Sequence, residues 1–283
     1  MNTSQVIITP ENMTKDRKIS ICVFLSGFSC FAQLYYFQPL LPDLAKDFIL
    51  SASESSFAIS FSTLGMVFGL FTTMFVADRI PRKKMIGTGL LSSSIFSVAA
   101  SFSPTFLPLI LLSAAKGFLL SGATSVSMAY IAEEVSSRNK GKIMGLYIAG
   151  NALGGMAGRV ISSWIGALYT WRIASVSIGL ICALFAILFL LFSPRSTNFM
   201  PRKESFHTLI IANLQLITSK ALIPFYLTGG LILGVFIQLP GILSDQSTFQ
   251  FPGTLYPLYL FNVYIRYFRV DCDSRTHPVL HSF

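Results

Sequence analysis

The sequence predicts an all-α, multi-pass membrane protein, and three observations predict it. Of its 283 residues, 53% are hydrophobic and only 12% are charged, against roughly a quarter charged in an ordinary soluble domain. The mean hydropathy is +0.65 and there are 26 Phe, more apolar surface than so few ionisable groups can cover in water. The apolar residues are also gathered into runs close to the roughly 20 residues that a membrane-crossing helix needs. At that length the chain has room for about seven or eight spans with short loops, and for no large soluble domain.

Each run is bounded by charges, Pro or polar clusters. A polar tail, 1–18, precedes the first span, Ile19 to Leu41. The second, Phe57 to Ala77, stops at Asp78-Arg79. The third, Met85 to Ser103, follows the basic turn Arg82-Lys83-Lys84. The fourth, Phe106 to Ile131, ends at Glu133-Glu134, and the fifth, Ile143 to Leu168, is rich in Gly. The sixth, Ile173 to Phe192, closes a six-helix block over 19–193. A polar, Pro-containing stretch, 194–220, leads to a seventh span, Ala221 to Leu239. Residues 240–283 are aromatic and irregular, with only Leu255 to Phe268 resembling a partial helix.

Charge placement orients the block. Fourteen basic residues fall on one side: Lys15, Arg17 and Lys18; Arg79, Arg82, Lys83 and Lys84; Arg138, Lys140 and Lys142; Arg195, Arg202, Lys203 and Lys220. The other side has Lys46 and Arg172. By the positive-inside rule the N-terminus is cytoplasmic, so the sequons at Asn2 and Asn12 are chance matches. All twelve acidic residues lie in loops, tails or helix ends, whereas a proton-driven machine normally keeps a carboxylate within the membrane.

Several function classes drop out. The four Cys form neither a CxxC pair nor a Cys/His cluster, and the three His form no helical metal pair, so no metal or cofactor is expected. The first apolar run is full length with no small-residue cleavage site after it, and is expected to stay in the membrane. Neither a Gly-rich phosphate loop nor a membrane-embedded protease signature is present, which argues against an enzyme. The net charge of +9 belongs to membrane topology and not to nucleic acid.

Three constellations carry the functional expectation. Asp78, Arg79, Arg82 and Lys83 fit the loop pattern G-x-x-x-D-R-x-G-R-[KR], with Met74 and Pro81 where Gly is usual; any short basic loop on the cytoplasmic side looks partly like this. In the fifth span, Gly150, Gly154 and Gly158 repeat every four residues beside Gly155, giving a face for close helix approach, and Arg159 follows them. In the fourth span Lys116 lies about 15 Å along the helix from Phe106 at 1.5 Å per residue, near the midplane. A lysine there is costly unless it faces water or a partner, so Lys116 is expected to face a cavity. Gln33, near the outer end of the first span, leans the same way, while Tyr35 and Tyr36 either line that cavity or form the aromatic belt.

The 78–84 loop resembles the signature loop of the major facilitator superfamily. The fifth-span glycines resemble those of its drug:proton antiporters, although the usual Gly-Pro step is absent, and tracts like Gln38-Pro39-Leu40-Leu41-Pro42 open many facilitators. The resemblance runs from about Ile19 to Leu239. It implies two inverted three-helix repeats forming the first half of a twelve-helix fold, plus a seventh helix. It also implies export of small, amphipathic molecules against protons across the bacterial inner membrane. Asp78, Arg79, Arg82 and Lys83 would form a cytoplasmic gate, and Gln33, Lys116, Asn151 and Arg159 would line the substrate cavity. In the family the fourth helix carries an Arg where Ser113 stands here, and Lys116 stands in for that charge. The alternatives are an importer of sugars or organic anions, and a non-transporting remnant or assembly subunit. The chain is expected to leave the family pattern soon after residue 238 through a disrupted frame, so that a second chain supplies the missing half or transport is lost.

Overall fold

A computed structural model describes residues 10–201 together with 218–219, 222–224 and 227–231. The chain divides into two units, 1–203 and 204–283. In the second, the described residues include helical turns at 223–224 and 227–231, where the Thr228 hydroxyl donates to the Pro224 carbonyl at 2.7 Å. Most of the expected central loop, most of the expected span 221–239 and the whole tail 240–283 lie outside the described residues.

Among the described residues the first unit is helical throughout, with no strand. Its elements are α1 (Pro10–Tyr35), α2 (Leu41–Asp47), α3 (Ala52–Ser55), α4 (Phe57–Val76), α5 (Arg82–Ser101), α6 (Phe106–Glu134), α7 (Lys140–Leu168) and α8 (Trp171–Phe192). The long helices match the six expected spans, with edges that shift for local reasons. α1 starts nine residues before Ile19, because Pro10 is pre-set for a first helical turn. It stops at Tyr35, before Leu41, and Pro39 and Pro42 open a 3₁₀ turn and α2 instead. α5 begins at Arg82, directly after Pro81 fixes the turn. α3 is held by a capping box between Ser51 and Glu54. Between α2 and α3, Ile49 adopts a left-handed φ of 54° and stands 94% exposed.

Among the described residues, four stretches are long and apolar enough to cross a membrane on their own composition: Thr14–Asp47, Ala52–Arg79, Phe106–Glu134 and Trp171–Phe192. α5 and α7 are not among them. Their Ser-rich and Gly-rich sequences serve packing, since Ser93, Ser94 and Ser97 of α5 and Gly154, Gly158 and Ser162 of α7 are all buried.

The helices pair across two triplets. α1 packs chiefly on α7 and then α8, while α6 packs on α4 and then α5; α5 and α8 pack on each other. Each triplet, α1-α4-α5 and α6-α7-α8, thus lends its first helix to the second and third helices of the other. This exchange is the packing expected of two repeats related by a pseudo-two-fold axis.

Glycines form both closest seams. A Cβ on Gly150 would lie 2.6 Å from the Phe24 carbonyl, one on Gly158 2.7 Å from Ala32, and one on Gly154 closer still to Phe28, all on α1. The matching seam sets Gly65 of α4 against Ala114 and Gly117 of α6 against Ser62. Two buried apolar clusters complete the unit. One, around Ile19, Leu90, Leu120 and Phe189, lies toward the N-terminal end. The other, around Phe37, Leu44, Leu109 and Trp171, lies toward the far end.

Candidate functional site

The centre of the unit is built on the break after α1. Because α1 ends at Tyr35, the triplet Tyr35-Tyr36-Phe37 turns inward, and Tyr36 and Phe37 are 0% and 1% exposed. Two cations from the other triplet meet these rings. Lys116 of α6, 1% exposed, holds its ammonium 4.5 Å from the Tyr36 ring centre and 4.8 Å from that of Phe37. Arg159 of α7, also 1% exposed, stacks its guanidinium 4.6 Å from the Tyr35 ring. A desolvated cation–π contact is worth about 2 kcal/mol, while a charge at mid-membrane costs about 3 kcal/mol or more. Two rings thus offset much of the cost of Lys116 without supplying a counter-charge. Among the described residues, the acidic side chains all lie near one end of the bundle or the other.

A hydroxyl chain fixes Tyr36. Its phenol donates to Ser175 Oγ at 2.9 Å, since the Ser175 hydroxyl gives its own hydrogen to the Ser97 carbonyl at 3.0 Å. The Ser97 hydroxyl donates to Gln33 Oε1 at 3.2 Å, and Gln33 Nε2 donates to Ser29 Oγ at 3.3 Å. Gln33 is therefore fully buried and held between α1 and α5. Asn151 sits lower, at the α1–α7 seam, where Gly27 leaves room for its Oδ1. Of the four cavity residues expected from sequence, Lys116 and Arg159 converge on one aromatic triplet, while Gln33 on α1 and Asn151 on α7, opposite Gly27, stand apart from it and from each other.

The basic end of the bundle carries a second cluster. Arg82, at the start of α5, donates through Nε and Nη2 to both carboxylate oxygens of Glu133 at 2.9–3.2 Å, to Asp78 at 2.9 Å and to the Ala77 carbonyl at 2.7 Å. Its guanidinium also lies 4.9 Å from the Phe199 ring. Lys83 donates its ammonium to the Ser193 carbonyl, and its backbone N–H to Ser196 Oγ at 3.0 Å. Arg79 is exposed on the same turn. Asp78, Arg82 and Lys83 are thus joined in one network while Arg79 stands outside it.

Three acidic residues at this end were not singled out from sequence. Glu133 and Glu134 read as loop acids there, yet Glu134 receives Lys15 at 2.7 Å, Thr197 Oγ1 at 2.9 Å and the Asn198 N–H at 2.7 Å. Asp16, 6% exposed, accepts from Ser136 Oγ at 2.6 Å and Asn139 Nδ2 at 2.8 Å. The strap 193–199 ties these together, with Ser196 capping the first turn of α5 and the Asn198 amide donating to the Glu133 carbonyl at the end of α6. At the far end Asp47 pairs with Arg172 and accepts from the Trp171 indole at 2.9 Å. A shallow groove of about 200 Å³ lies among α4, α5 and α6, lined by Thr72, Thr73, Thr88 and Ser121. None of the residues expected at the site lines it.

Comparison with known proteins gives the context of this geometry. A family model described as the Major Facilitator Superfamily matches residues 20–266, reaching past residue 240 into the stretch that reads as an irregular tail. An uncharacterised transporter of Buchnera aphidicola subsp. Schizaphis graminum is 34% identical over 84% of this chain and 58% of its own length. The inner membrane transport protein YnfM of Escherichia coli K12 is 34% identical over 82% of this chain and 54% of its own. The chain therefore spans little more than half the length of these relatives. Among solved structures, a D-xylose–proton symporter superposes with a TM-score of 0.66 at 16% identity, covering 89% of this chain and 66% of that one.

Proposed function

This chain belongs to the major facilitator superfamily, a family of membrane transporters and not of enzymes, and we propose that its first unit is the substrate-binding half of a proton-coupled exporter of small amphipathic molecules. The observation that carries the proposal is the convergence of Lys116 and Arg159 on the Tyr35-Tyr36-Phe37 triplet. Two buried cations against flat aromatic faces suit a molecule with an apolar body and a polar or charged head. Lys116 is the titratable amine at the centre, so the exchange of proton for substrate runs through it, in place of the membrane carboxylate that the chain lacks.

In this reading the protein lies in the bacterial inner membrane with its N-terminus in the cytoplasm, as the basic loops require. Asp78, Arg82 and Lys83, with Glu133 as the partner of Arg82, act as the cytoplasmic gate, with Arg79 left exposed to engage the opposing half. Residues 194–220 link the halves and 221–239 begin the second one. The remaining cavity wall comes from residues beyond those described or from a second chain.

A second reading, import of an organic anion, is favoured by one observation: the centre has two cations and no carboxylate. Everted and right-side-out vesicles containing the chain separate the two. The export reading expects a panel of amphipathic substrates to accumulate in everted vesicles under an acid-inside pH gradient, and to be released by an uncoupler. Accumulation only in right-side-out vesicles would make it an importer. Failure of both would make it a subunit or remnant that transports nothing alone.

A further inference from the structure

Lys116 is not alone in lacking a polar partner. Buried side-chain atoms with no hydrogen-bond partner among the described residues include Lys116 Nζ, Ser113 Oγ, Ser62 Oγ and Gln38 Oε1. Their residues belong together. Ser113 lies one helical turn before Lys116 on the same face of α6. Ser62 of α4 is fully buried, with its carbonyl against Gly117, the residue after Lys116. Gln38 follows Phe37, whose ring the ammonium meets. Other buried hydroxyls of the unit do find a carbonyl: Ser93 and Ser94 of α5 bond to Leu90, and Ser121 and Ser127 of α6 to Phe118 and Ala123. Lys116 Nζ, Ser113 Oγ and Ser62 Oγ are thus unpaired donors and Gln38 Oε1 an unpaired acceptor on neighbouring stretches of the fold, and buried orphans in a native fold call for a partner.

We propose that Lys116, Ser62 and Ser113 form a receptor for one carboxylate group, carried by a substrate with a planar aromatic body. The proposal rests on the transport reading of the same centre and names its substrate class. One ammonium balances one negative charge, and two neutral hydroxyls can each give a hydrogen to a carboxylate oxygen. The Tyr36 and Phe37 rings, which the ammonium meets at 4.5 and 4.8 Å, make the surroundings of the charge aromatic. A phosphate monoester or a dicarboxylate brings a second charge that these three residues do not balance, and the other cation of the centre, Arg159, is held on a different ring, Tyr35.

The test is equilibrium dialysis of the purified full chain in detergent with labelled benzoate. Saturable binding is expected, with competition by other aromatic monocarboxylates and none by benzamide or phenylphosphonate. Lys116→Met should weaken binding by about tenfold or more, and Ser62→Ala and Ser113→Ala by about threefold each, with unchanged melting. If Lys116→Met fails to fold, the two serine variants decide. Benzoate that does not saturate, or that binds the variants as tightly as the parent chain, overturns the proposal. Export of neutral or cationic amphiphiles by a chain that does not bind benzoate also overturns it while the transport reading stands. Benzoate binding without transport in either vesicle type overturns the transport reading and leaves the carboxylate receptor.

Discussion

Lys116 and Arg82 show two ways for a cation to be held within one membrane unit. Lys116 lies among rings and unpaired hydroxyls, whereas Arg82 has every direction of its guanidinium occupied: Glu133 on one edge, Asp78 and Ala77 on the others, and Phe199 on a face. The depth of Lys116 could be counted along its helix, and that depth is why it was expected to face a cavity. Its neighbours Tyr36 and Phe37 were not legible in the sequence, because they lie some 80 residues away and reach it only through the break after α1. Asp78 and Arg82 were legible as one loop, but Glu133 reaches Arg82 across 51 residues, and one-dimensional spacing has no signal for that. Arg82 is 9% and Glu133 27% exposed in the pair, so Arg82→Gln leaves Glu133 partly buried without its partner. We expect it to lower stability by about 2 kcal/mol, read as an earlier midpoint in an SDS titration; Glu133→Gln in the same background should then cost little more, because the pair is already broken.

At the scale of elements, α7 shows which parts of a packing seam can be read in advance. Gly150, Gly154 and Gly158 repeat on one helix, and the four-residue spacing alone marks the face that meets α1. The matching α4–α6 seam uses both helices: Gly65 and Gly69 of α4 lie against Ala114 and Ser121 of α6, and Gly117 of α6 lies against Ser62. The Gly65–Gly69 pair has the same four-residue spacing but is one step long, so it stands out less in the sequence than the three-glycine run of α7. Helix ends were less legible than helix existence, because Ser196 and Asn198 complete α5 and α6 from a strap after α8. The seam yields a paired prediction. Gly154→Val drives side-chain atoms into the Phe28 backbone and should cost about 3 kcal/mol or prevent folding. Gly145→Ala, on the same helix, meets nothing within 4 Å and should be neutral or stabilise by up to about 1 kcal/mol. Thermal melts of the two purified variants check both.

For the whole unit, composition established the membrane and the basic loops predict its orientation, but the exchange of helices between triplets is a property of the assembled fold. It gives the unit a basic end latched by Arg82–Glu133 and Lys15–Glu134, and a far end latched by Asp47–Arg172. The orientation is testable with a membrane-impermeant maleimide in a Cys272→Ser background, since Cys22, Cys30 and Cys182 are buried. Ile49→Cys should label on intact spheroplasts and Arg79→Cys only after permeabilisation; the reverse pattern would invert the topology. The exchanged packing also sets an order of events during synthesis. α1 leaves the ribosome first, yet the helix that covers its glycine-facing side is α7, more than a hundred residues later, or about 5–25 s at ordinary elongation rates. Until then Gly27 and the backbone around Phe24 and Phe28 have no lasting neighbour. The nascent chain must hold α1 in the bilayer as a lone helix, open to whatever else the insertion machinery offers it, and the unit becomes one body only when its fifth long helix arrives.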